Sequence, residues 1–218
     1  PVPFQKNKLY ATVLSFARNS LASLVNASGA LDYAAVNTPR FDHHPVTLEN
    51  IGERVENSTT NYALSATDQT GANYIPTGLA VSSPSNGWCT LTESTANEVH
   101  TLLDNQSQID SSLYNAISVL AKAGSAQFMQ IQVLGAGAQA FANFDLRNQK
   151  VTKMGRLAYR ANIFQSVNNS LRCVLCVKGA GNTTASVKYS IINDPLAEPD
   201  VAYTGTARNI QVSLMQIE

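Results

Sequence analysis

Chemistry needs particular side chains at particular separations, and several clusters in this 218-residue chain supply the side chains. Asp42-His43-His44 joins a carboxylate to two imidazoles. Adjacent side chains on an extended backbone point to opposite sides, and no third His or Cys lies at ligand spacing, His100 being distant. The expectation is a turn before Pro45, with Asp42 accepting from nearby backbone amides. Cys173-Val-Leu-Cys176 has the C-x-x-C spelling, yet zinc needs a second pair and a redox site needs a helix N-terminus to lower the thiol pKa. In an alternating strand the two thiols face opposite sides and act as small buried hydrophobes. Glu49, Glu53 and Glu56 fall at surface-like spacing and mark no acid pair for glycoside cleavage. Ser, His and Asp occur without a Gly-x-Ser-x-Gly elbow, and Gly135-Ala-Gly137 lacks the helix signal and Lys-Ser/Thr of a phosphate loop. Trp88, preceded by Asn86-Gly87 and with Tyr74 upstream, keeps two readings open: an exposed indole that stacks on a pyranose face, with Tyr74 and Trp88 as glycan contacts, or a core or interface anchor. No catalytic residue, cofactor or metal is expected, and the chain reads as no enzyme.

Composition limits the partners. Charged residues make up 14% of the chain and the formal net charge is zero, without the clustered Lys/Arg surface that nucleic-acid binding requires. A surface carried by Asn, Gln, Ser and Thr suits close protein contact, because an amide or hydroxyl that finds a partner costs less to bury than a charge. Zero net charge also gives little protection against self-association. No apolar run reaches the roughly 18 residues of a membrane span. PVPFQKNKLY lacks an apolar h-region, and the three cysteines, Cys89, Cys173 and Cys176, do not make a disulfide framework. Synthesis in a reducing cytoplasm is the expectation.

The elements that would position these residues are strands. Met129, Ile131 and Val133 alternate with Gln130 and Gln132, so one face enters a core while the amides face water or a partner. Leu157, Tyr159, Ala161 and Ile163 read the same way, as do Leu171, Cys173, Leu175 and Val177, then Val187, Tyr189 and Ile191, and finally Ile210, Val212 and Leu214. Gly-, Asn- and Pro-rich turns separate them, which predicts an all-β antiparallel sandwich with one core. Residues 98–110 read as a connection or lateral hairpin. Residues 111–122 fit both the helical period and the period of two. From Pro1 to about Tyr62 the apolar residues are scattered, and Pro1, Pro3, Pro39 and Pro45 preclude long central strands. That region reads as an extended arm with short strands, and Phe4, Leu9, Tyr10 and Phe16 would stay wet at about 25 cal/mol per Å² unless docked.

Residues 14–62 carry a recognisable pattern: Ser15, Phe16 and Arg18, an Asn26-x-x-Gly29 turn, Asn37-Thr38-Pro39-Arg40-Phe41-Asp42, Pro45-Val46-Thr47, Gly52, Glu56 and Thr60-Asn61-Tyr62. It resembles the leader of structural proteins of tailed bacteriophages. The segments Ser118–Gly124, Ala140–Gly155, Leu171–Val177 and Val201–Glu218 resemble the module that follows it, a jelly roll similar to carbohydrate-binding modules. The resemblance implies that residues 111–122 open that module as a strand. It implies an N-terminal arm over 1–62, a jelly-roll β-sandwich over 63–218, and a place on the outer surface of a virion. The expected role is a non-enzymatic capsid decoration or cement protein of head-spike type. Its expected partners are the major capsid protein and copies of itself in a homotrimer, with Phe4, Leu9, Tyr10 and Phe16 as contacts. The alternative is a tail or head fibre module that recognises host cell-surface glycan.

Overall fold

The computed structural model describes residues 22–53, 63, 66–105, 114–134, 140–178 and 186–217. The first strands are short: β1 (Ala22–Val25), β2 (Leu31–Ala34), β3 (Phe41–His43) and β4 (Asn50–Glu53). There follow β5 (Tyr74–Thr77), β6 (Leu79–Val81), β7 (Cys89–Glu93), β8 (Asn97–Glu98), β9 (Thr101–Asp104), β10 (Tyr114–Ala123) and β11 (Phe128–Val133). The last are β12 (Phe141–Asp145), β13 (Lys150–Met154), β14 (Ala158–Gln165), β15 (Leu171–Lys178), β16 (Val187–Ile192), β17 (Tyr203–Thr204) and β18 (Asn209–Ile217). Among the described residues no helix is long and apolar enough to cross a membrane. By its internal contacts the chain divides into two compact units. One holds Pro1–Thr59 with Gln165–Asn169; the other holds Thr60–Phe164 with Ser170–Glu218.

The larger unit is an antiparallel β-sandwich of jelly-roll type. One sheet, sheet I, has the strand order β14-β15-β10-β18-β7-β6, and sheet II has β13-β12-β11-β16-β9-β5. Consecutive strands lie in different sheets at several points, the crossovers that a jelly roll needs. The core is made by alternate residues of both sheets: Ile117, Val119 and Ala121 of β10 and Cys173, Leu175 and Val177 of β15 on one side, Met129, Ile131 and Val133 of β11 and Val187, Tyr189 and Ile191 of β16 on the other. Of residues 111–122, those described lie in β10 as a strand, and of residues 98–110, expected to be a connection or lateral hairpin, Thr101–Asp104 form β9 of sheet II.

The expected facing of residues fails at three places. In β18 the pairing with β10 slips between Ser118 and Leu120, and Leu214 sits there with a positive φ of 44°. This β-bulge turns Met215 and Ile217 into the core in place of Leu214. At β14 the expected inward residues Leu157 and Tyr159 are exposed, while Ala158, Ala161 and Ile163 pack on the core. Gln130 and Gln132, expected to face water or a partner, are buried. The loop after β16 folds over them: Asn143 Nδ2 donates to the carbonyl oxygens of Pro195 at 3.1 Å and Ala197 at 2.9 Å, and Gln130 Nε2 donates to Asn143 Oδ1 at 2.8 Å. Amides suit that position because each covered donor meets an acceptor.

In the smaller unit the leader pattern has a folding role. Asn26 Oδ1 accepts from the backbone of Ser28 and Ala30 at 3.0 and 3.1 Å, closing the β1–β2 hairpin. Gly29 has a φ of 76°, and a Cβ there would meet the Pro45 carbonyl oxygen at 2.7 Å, so the turn requires glycine. Asp42 Oδ1 accepts from Val25 N at 2.6 Å, fastening β3 to β1. The contact residues expected at Phe4, Leu9, Tyr10 and Phe16 lie outside the described residues.

Candidate functional site

The densest polar cluster of the sandwich gathers around Glu93, at the end of β7. Its buried carboxylate accepts from Tyr203 Oη at 2.6 Å, Arg208 Nε at 2.9 Å, Arg208 Nη2 at 3.2 Å, Thr206 N at 2.8 Å and Thr206 Oγ1 at 3.3 Å. Burial by itself raises the carboxyl pKa, but the hydrogen bonds from Arg208, Tyr203 and Thr206 outweigh it and hold the group at about 2. His100, also buried, places Nδ1 2.8 Å from the Gly78 carbonyl oxygen and Nε2 3.1 Å from that of Tyr203, its ring edge-on to Tyr203 at 4.4 Å. A sealed carboxylate held ionised has no proton to give near neutrality. The cluster ties β7, β17 and the start of β18 together and serves the architecture.

Asp145 repeats the arrangement at the β12–β13 turn, accepting from Asn148 N at 2.9 Å, Asn148 Nδ2 at 2.8 Å and Gln127 Nε2 at 3.0 Å. Burial pushes its pKa up, and these bonds bring it below the usual carboxylate range.

The metal and thiol candidates are occupied locally. His43 Nδ1 lies 3.2 Å from the Val25 carbonyl oxygen, and His44 Nδ1 accepts from Thr47 N at 3.0 Å. Among the described residues no three His, Cys, Asp or Glu side chains gather to hold a metal. Cys173 points into the core and Cys176 to the other face of β15. Burial pushes both thiols up, Cys173 far, while Arg160 draws Cys176 back to a lesser degree.

The aromatic candidates separate. Tyr74 is only 5% exposed, part of the core on β5, so it offers no ring face to a sugar. Trp88 closes the β6–β7 hairpin, where Asn86 and Gly87 have φ of 51° and 78°, as a type I′ turn demands. It is half-buried, and the Lys122 ammonium lies over its ring, 4.3 Å from the centroid. The open aromatic surface is elsewhere. Tyr114 and Tyr159, 57% and 65% exposed, stand against each other with ring centroids 4.6 Å apart and planes tilted by 47°. Lys178 Nζ lies over the Tyr114 ring at 6.0 Å. Sequence reasoning missed this pair because it assigned Tyr159 to the core and put Tyr114 in the ambiguous segment.

Zero net charge also hides a segregation. From Leu146 to Asn193 there is no Asp or Glu, while Arg147, Lys150, Lys153, Arg156, Arg160, Arg172, Lys178 and Lys188 all fall there. The zero total therefore conceals a cationic stretch of sequence. β13 ends sheet II and β14 ends sheet I, joined by a short turn, so one side of the sandwich carries most of these groups. Lys153 pairs with Glu198 and Lys188 with Asp200, whereas Lys150, Arg156, Arg160 and Lys178 are exposed and form no ion pair among the described residues.

No family model and no curated protein matches the chain. Among solved structures it is similar to a carbohydrate-binding module described as "CBM4 structure and function", with 14% identity over 74% of this chain and 99% of that one and a TM-score of 0.41. It is also similar to a sialidase, with 10% identity over 86% of this chain and a TM-score of 0.40, spanning 20% of that chain. At these scores neither likeness carries an argument about function.

Proposed function

We propose that this chain is a non-enzymatic structural protein of a tailed-phage virion, a decoration or cement protein of head-spike type that stabilises the head shell. The leader pattern motivates the assignment, and one structural observation carries it. In the leader unit Tyr33, Val36, Val46, Leu48 and Ile51 are exposed, Tyr33 at 55% and Ile51 at 63%, and the described residues 22–53 form four short strands. Side chains of that size left wet on so small a unit suit a surface that docks on another protein. The sandwich then serves as the rigid body that projects outward, and self-association into a trimer multiplies weak contacts into retention on the shell. The sealed, ionised state of Glu93 and Asp145 supports a non-enzymatic role.

A density map of the whole virion tests the reading. It requires the leader unit against capsid subunits on the outer head surface; the chain located solely at the tail tip would overturn it. A second reading, a fibre module that recognises host glycan, draws on the exposed Tyr114–Tyr159 pair rather than on Tyr74 or Trp88.

A further inference from the structure

We infer that Tyr114 and Tyr159 of sheet I form a binding site for an acidic saccharide, with Lys178 beside Tyr114. The two rings touch in a shallow V, with centroids 4.6 Å apart, and more than half of each side chain is open. Exposing two tyrosines side by side costs the burial that either would gain in a core, so the arrangement suits an occupant that covers them. Pyranose rings fit that requirement: their axial C–H groups carry partial positive charge and pack on the negative face of an aromatic ring. Tyr159 lies on β14, which ends its sheet, and Tyr114 begins β10, two strands further in.

One cation sets the ligand's charge. Lys178, at the end of β15, lies over Tyr114. It forms no ion pair among the described residues and lies in the stretch that holds no Asp or Glu. Carboxylate-bearing sugars, such as uronates or sialates, place a planar anion beside a ring that stacks, which matches this set. A second copy of the chain fits less well, because a two-fold contact through this face would bring Lys178 against its own copy. Single-stranded nucleic acid needs successive separated aromatic platforms along a basic groove, whereas these rings form one platform. The site is independent of the virion reading, since it is tested on the purified chain.

Calorimetry of the full chain with tetragalacturonate, an α2,8-linked tetrasialate, maltotetraose and a twelve-nucleotide single-stranded DNA decides the matter. The expected result is saturable binding of at least one acidic tetrasaccharide, weakening severalfold when salt rises from about 0.05 to about 0.3 M. Tyr159→Ala should lower that affinity by about tenfold or more, and Lys178→Gln should lower it and flatten the salt dependence. Tyr159 is exposed on an edge strand, so its variant keeps the fold, checked by an unchanged melting temperature; Tyr114→Ala is a second probe. The inference is overturned if neither acidic sugar binds at millimolar concentration, or if Tyr159→Ala and Lys178→Gln bind like the parent. It is equally overturned if DNA or maltotetraose binds more tightly than both acidic sugars, or if the tyrosine change abolishes self-association while sugar binding stays absent.

Discussion

Glu93 decides more of this molecule than any other charged residue, because its carboxylate joins β7 to the Tyr203–Arg208 segment more than a hundred positions later in the chain. Its folded pKa of about 2 lies below an ordinary 4.5, so its contribution is complete above pH 4.5 and is lost as pH falls towards 2. A shift of that size corresponds to roughly 3 kcal/mol. Glu93→Gln should therefore cost about 2–4 kcal/mol at pH 7, since it leaves the Arg208 guanidinium short of its partner. In urea unfolding it should also flatten stability between pH 4.5 and 2, apart from the smaller share due to Asp145. A variant as acid-sensitive as the parent would contradict the assignment. None of this was legible in the sequence, where Glu93 is one acid among many and its partners are remote. Asp42 was legible in part: its bond from the adjacent His43 amide is the expected local one, whereas its bond from Val25 N comes from seventeen positions away.

At the scale of elements, alternation announced β11, β15 and β16, whereas β10 fitted two periods and was chosen as a strand by the resemblance, and alternation failed in β18, where the register slips. The β18 bulge is the clearest case. Arg172 Nη1 donates to the Leu214 carbonyl oxygen at 2.8 Å and to Ser118 Oγ at 3.3 Å, bridging the two strands where the ladder is interrupted. Arg172→Met should lower stability by about 1–3 kcal/mol by leaving that carbonyl without its donor. Equilibrium unfolding measures this, and a change below a few tenths of a kcal/mol would remove the bridging role. In the leader, Gly29→Ala forces a Cβ against Pro45 and a side chain into a positive φ, so residues 22–53 should become open to protease. The sandwich should keep its melting temperature, because the two units are separately compact. Joint unfolding of both would contradict that division. The Gln130–Asn143 layer was unreadable for the opposite reason: polar residues in a strand signal solvent, and only the tertiary course of the 193–199 loop covers them.

For the whole molecule, composition gave the correct class and a misleading surface. A net charge of zero averages an acid-free cationic stretch, two of whose lysines pair with Glu198 and Asp200, against acids elsewhere in the sequence. The account assigns two faces to two tasks: the apolar leader surface attaches, and the sandwich edge remains free to bind. Occupancy on phage heads stripped of this chain tests that division most directly, by co-sedimentation of the parent, the double variant Tyr33→Lys with Ile51→Lys, and Tyr159→Ala. The account predicts saturating decoration by the parent and by Tyr159→Ala, with occupancy of the double variant reduced by about tenfold or more, as expected when two apolar anchors of an interface become charged. Wild-type occupancy of the double variant would contradict it.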